Sequence, residues 1–108
     1  MKILKFLLIV FVISLLNSFK LFADEAMMKK GLEIYNETAG CAACHVLKAA
    51  GSEGNIGPNL DTVTMTVESV KEMVTYGVGV MPAFGEGGIL TKEEIEIVSQ
   101  YVVNVANK

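Results

Sequence analysis

The sequence predicts an all-α domain with long Gly/Pro-rich loops, and three observations lead there. Apolar residues recur at helical spacing in three separate stretches, and no stretch alternates with the two-residue rhythm of a strand. Two of those stretches open on a threonine placed to cap a helix. Between them lie residues 51–60 and 77–88, both dense in Gly and Pro. Loops this long in so small a chain suggest that they wrap something.

The first 23 residues read as a leader and residues 24–108 as the domain. Lys2 and Lys5 precede an apolar run from Phe6 to Leu16 broken only by Ser14, and polar Asn17 and Ser18 follow. That is the layout of a secretory signal peptide, with cleavage expected after Ala23. The run of 11 residues is short for a span, which needs about 20. With Phe19, Leu21 and Phe22 added it becomes long enough for an uncleaved membrane anchor, and Leu21 is larger than that position usually takes. Removing the leader leaves 85 residues, few enough that the domain wants a staple beyond its own core. Three of the nine basic residues lie in the leader and all 12 acidic ones beyond it, so the domain's side chains sum to −6. Such a balance argues against nucleic acid as a partner. It suits a soluble protein whose partners offer a basic face.

The spacing of Met28, Leu32 and Tyr35 predicts a first helix over 26–37, capped by Asp24. Gly31 costs about 1 kcal/mol there relative to Ala; close approach of another backbone is the simplest compensation. Residues 41–50 read as a short helix, 51–60 as a loop, and 61–65 carry no clear signal. Thr66 caps a helix through Tyr76, with Val67, Val70 and Val74 as its buried stripe, Met73 beside it, and Gly77 as its stop. Thr91-Lys92-Glu93-Glu94 is a capping box. It opens a last helix whose apolar face holds Ile95, Val98, Tyr101 or Val102, and Val105.

The chemistry concentrates in Cys41-Ala42-Ala43-Cys44-His45. Two thiols three residues apart sit on one face of a helical turn, and each can add to a haem vinyl group to form a thioether. His45 is then placed under the porphyrin as proximal iron ligand. The pattern reads as covalent attachment of one c-type haem. Other chemistries fit less well. Zinc needs four ligands, and the chain has no further Cys or His. A thioredoxin-like dithiol wants a βαβ setting. A disulfide leaves His45 without a purpose.

With a single His in the chain, the opposite face of the iron falls to Met, Lys, the N-terminal amine or nothing. Met27 and Met28 lie in the first helix, and Met73 has the position of core filler. Met81 is favoured as distal ligand and Met65 is its rival. Glycines precede Met81, and Pro82 biases it toward extended backbone. A thioether is soft and neutral and raises the potential. The ring of His45 needs its second nitrogen bonded, and the carbonyl of Pro58 is a candidate acceptor. By pattern alone, Gly57-Pro58-Asn59 is equally a simple turn. Asn55 and Asn59 could bond a haem propionate or cap the next segment, and Tyr35 and Tyr101 read as core residues.

Gly31-Leu32-Glu33-Ile34-Tyr35, the Cys41–His45 motif, Gly57-Pro58-Asn59-Leu60 and Val80-Met81-Pro82-Ala83-Phe84 follow one another in that order, and a C-terminal helix with Tyr101 comes after them. Over residues 26–106 the chain thereby resembles the small monohaem class I c-type cytochromes of bacteria. The resemblance implies a cytochrome c-like fold of three main helices, His/Met iron and an exposed haem edge. It also implies that Pro58 accepts from His45 and that Gly31 lets the end helices touch at Tyr101. Val46 departs from the pattern, standing where many members have Gly, and Tyr101 stands where some have Trp.

The function implied is that of a periplasmic, monomeric one-electron carrier, not an enzyme, docking transiently with a redox donor and acceptor. It would meet the membrane only through partners or an uncleaved leader, and Lys48 could sit near the haem edge. Two other classes stand beside it: a haem-bearing subunit of a dehydrogenase or oxidase complex, and a haem enzyme or gas sensor with a labile sixth site. No residue set suggests an independent nucleophile or acid–base pair.

Overall fold

The computed structural model describes residues 1–108. Helix α1 (Lys2–Glu33) runs without a break across the expected leader boundary. Asp24 is therefore an interior residue of a continuous helix rather than a cap. Nothing between Lys20 and Lys30 interrupts it: Ala, Leu, Lys, Glu and Met all favour helix, and no Gly or Pro occurs there. The first 26 residues are exposed throughout and stand away from the body, which gives the molecule a 65 Å long axis against 28 and 23 Å across.

Burial begins at Gly31. A Cβ on this residue would overlap Cβ of Tyr101 and stand 2.8 Å from its Cγ. The compensating approach is thus a side chain of the last helix and not its backbone. Beyond Glu33 the helix widens into a π-helical turn, Ile34–Thr38, closed by Ala39 N–H on Ile34 O at 2.9 Å. The turn aims Ile34 and Tyr35 fully into the core, and Gly40, at φ +68°, ends it.

Residues 41–50 are not one helix. A 3₁₀ turn, Cys41–Ala43, is followed by strand β1 (Val46–Leu47), a second 3₁₀ turn (Lys48–Ala50) and strand β2 (Ser52–Glu53). The strands pair antiparallel, Val46 with Glu53 and Leu47 with Ser52. Leu47 is fully buried and Gly51 takes the left-handed φ of +70° that the tight reversal requires.

Helix α2 (Val67–Tyr76) starts where its cap predicts. Thr66 Oγ1 accepts from Ser69 N–H at 3.1 Å while Ser69 Oγ accepts from Thr66 N–H at 3.0 Å. Val74 is buried and Val70 partly so, but Met73 lies exposed, off the stripe. Helix α3 (Lys92–Val105) opens on the Thr91–Glu94 capping box. It buries Ile95, Val98, Tyr101 and Val102 against α1 and α2, and the rings of Tyr35 and Tyr101 meet at 6.2 Å and 56°. Lys71 Nζ reaches Glu96 at 2.6 Å to link α2 and α3 at the surface.

Candidate functional site

Cys41 and Cys44 are partly buried, unbridged thiols on the 3₁₀ turn. Cys41 O accepts from the N–H of both Cys44 (3.1 Å) and His45 (3.0 Å), which curls the three residues into one turn. Burial, foremost, pushes the free Cys41 thiol up to about 11. A thiol that stays protonated at neutral pH is a poor exchange nucleophile, which counts against a thioredoxin-like dithiol.

His45 is held by the loop that follows it. Segment 57–60 runs beside 44–46, with Gly57 N–H on Cys44 O at 2.7 Å and Leu60 N–H on Val46 O at 3.0 Å. Between these two bonds, His45 Nδ1 lies 2.7 Å from Pro58 O. A carbonyl only accepts, so Nδ1 carries the proton and Nε2 keeps its lone pair for a metal. The ring is tightly cradled: a Cβ on Gly57 would stand 2.6 Å from His45 Cε1 and 2.9 Å from Nδ1. The structure thus brings together Cys41, Cys44, His45 and Pro58.

The two methionine candidates stand on other segments. Met81 closes a tight reverse turn, its N–H on Val78 O at 2.9 Å and its carbonyl accepting from Val78 N–H at 3.3 Å. Met81 and Met65 are both partly buried and packed against the core. Asn59 caps its own turn, accepting from Asp61 N–H at 2.9 Å.

Asp61 gave no clear signal in the sequence, yet it clamps the site. One carboxylate oxygen accepts from Lys48 N–H at 2.8 Å and the other from Asn107 N–H at 2.9 Å. These two bonds, Lys48's first, hold its carboxyl below the usual aspartate value. The one hint was its place two residues after Asn59, where an Asx turn is favoured.

The donor set suits haem better than a bare ion. No three His, Cys, Asp or Glu side chains converge as a metal-ion site. What the chain offers is two free thiols, one imidazole nitrogen and methionine sulfur. Beyond the leader, the exposed large apolar residues are Ile56, Met73, Tyr76, Val78, Val80 and Ile89. All but Ile89 lie in the loop carrying Pro58 or on the α2 end and turn leading to Met81. Apolar surface gathered in this way marks a binding region, and a porphyrin is of the kind to cover it.

A family profile described as cytochrome C oxidase, cbb3-type, subunit III matches residues 26–102, most of the chain. Cytochrome c6 of Microcystis aeruginosa is 37% identical over 79 residues, spanning 66% of this chain and 90% of that protein. The chain belongs to the class I c-type cytochromes. A second cytochrome c6, from Leptolyngbya boryana, is 36% identical over 84 residues, or 72% of this chain and 92% of its own length. Among solved structures, the c-type cytochrome SorU from Sinorhizobium meliloti superposes with a TM-score of 0.72 at 45% identity, covering 78% of this cytochrome and 95% of SorU. The cytochrome c-like fold follows, with the small hairpin as a local addition to an otherwise helical body. So does a covalently bound haem c with its iron. As a cytochrome of this family, the protein is a haem-bearing electron carrier that works between redox partners.

Proposed function

We propose that this cytochrome is a periplasmic one-electron carrier in which Cys41 and Cys44 form the haem thioethers, His45 is the proximal ligand and Met81 the distal one. The haem supplies an iron that changes by one electron between ferric and ferrous states. The chain's part is to hold the axial positions constant. The bond from His45 Nδ1–H to Pro58 O at 2.7 Å is the observation that carries the reading, because it fixes both tautomer and ring direction. Met81 supplies a soft neutral sulfur from a turn braced by two backbone bonds. With both positions kept, small molecules find no open site, which supports a carrier over an enzyme or gas sensor.

The test is spectroscopy on protein matured with haem in an exporting host. Met81→Ala should abolish the near-infrared thioether band and open the ferrous form to carbon monoxide, while Met65→Ala should leave both as in wild type. The reverse pattern would hand the distal role to Met65. Periplasmic release is supported by a leader helix that makes no burial with the body. Mass spectrometry of the exported protein should find it starting at Asp24 with one haem added. Retention of residues 1–23 would make it membrane-anchored on the periplasmic side instead.

The matching profile's description concerns an oxidase subunit, which keeps a subunit role as the second reading. Stable co-purification with a larger redox complex would favour that role over free diffusion.

A further inference from the structure

Beneath the His45 backbone lies a buried pair of hydroxyls. Tyr35 is fully buried, and its hydroxyl meets Ser52 Oγ at 3.0 Å; Ser52 is 6% exposed. Two longer contacts leave this pair. Tyr35 Oη reaches His45 O at 3.4 Å and Ser52 Oγ reaches Leu47 O at 3.4 Å. Carbonyls two residues apart on an extended segment point to the same side, so the pair faces one edge of the 45–47 segment. Its other edge is closed by the bond from Leu60 N–H to Val46 O.

A tyrosine and a serine bring only two hydroxyl protons to these three contacts. Each hydroxyl is satisfied only while the other stays in place, and in this buried setting neither has water as a substitute. Packing does not require the Tyr35 oxygen, because the ring already rests on Tyr101 at 6.2 Å. The position reads as plain core from its spacing, yet its polar atom is spent on the strand that begins at His45.

We propose that Tyr35 and Ser52 are positioning residues for His45, a coupled hydroxyl pair that holds its main chain while Pro58 holds its ring. The pair links the end of the first helix and β2 to the segment bearing the proximal nitrogen. It thereby limits how far the imidazole can tilt as the iron changes charge. The proposal rests on the reading of His45 as axial ligand.

The test compares haem-loaded wild type with Tyr35→Phe, Ser52→Ala and the double variant, by redox titration and by the ferric electron paramagnetic resonance spectrum. Both single variants should displace the midpoint potential in the same direction and broaden the low-field ferric line. The double variant should move no further than the larger single one, because either change dissolves the same pair. If one variant fails to mature, the other reports alone. Unchanged potential and spectrum, even with lowered thermal stability, would overturn the proposal, as would fully additive shifts. A wild-type chain that binds no haem would refute the axial reading as well, whereas a loaded protein indifferent to both hydroxyls refutes only this one.

Discussion

A methyl group at position 57 would come within 2.6 Å of His45 Cε1, and the ring could not yield without leaving Pro58 O. Gly57→Ala should therefore cost about 1–3 kcal/mol through overpacking, read as a lower denaturation midpoint. It should also raise the midpoint potential, because a proximal imidazole that loses its Nδ1 bond is a poorer donor to ferric iron. At Asp61 the two backbone bonds hold the folded carboxyl below its unfolded value near ~3.9. Its contribution is fully present above that unfolded value and is lost as pH falls through the lower, folded one. Asp61→Asn should be less stable than wild type at neutral pH, with the two denaturation curves converging at the acid extreme; a constant gap across pH would contradict the clamp. Glycine before Pro58 was legible as a turn. That the turn closes on the His45 ring was not, since 13 residues separate the bonded groups.

At the level of elements, Gly31 sets two effects against each other. Helix propensity alone would favour Ala by about 1 kcal/mol. Its Cβ, however, would meet Tyr101 at the Cβ, which no rotamer change can move, and overpacking of this kind costs about 1–3 kcal/mol. Gly31→Ala should thus destabilise the pairing of α1 with α3, as measured by denaturant unfolding. At the other end of the scale, Thr91→Ala removes a cap and should cost about 0.5–2 kcal/mol in the same experiment. Both caps were readable because capping is a matter of three or four consecutive residues. The β1–β2 hairpin was not, because two-residue strands have no period to detect. Val46 and Leu47 take extended backbone there to reach Ser52, Glu53 and Leu60.

For the molecule as a whole, the central question is how so short a chain stays folded. Without the leader the domain has 85 residues and 11 buried apolar ones, and domains of this size need a staple as often as not. Exposed apolar residues crowd the loops that carry Pro58 and Met81. Replacing both Cys41 and Cys44 by Ser, so that haem is no longer held covalently, should leave the protein less protected in hydrogen exchange around residues 54–60 and 77–85 while α3 stays comparatively protected. A double variant with wild-type protection would show that the fold stands without its cofactor. The acidic balance of the domain also predicts that electron exchange with a basic partner slows as salt is added.

The sequence by itself determined what depends on covalent spacing and local period: the thiol–thiol–imidazole triplet, three helical stretches, two threonine caps, the glycine at the helix crossing and the family to which the chain belongs. Only the tertiary structure decided how the loops close. It brought Pro58 to the His45 ring, Asp61 to Lys48 and Asn107, and the Tyr35 hydroxyl to Ser52. These bonds join residues 13 to 46 positions apart. A hydrogen bond of that separation leaves no trace in local pattern, because it forms only after packing has brought the two groups within reach.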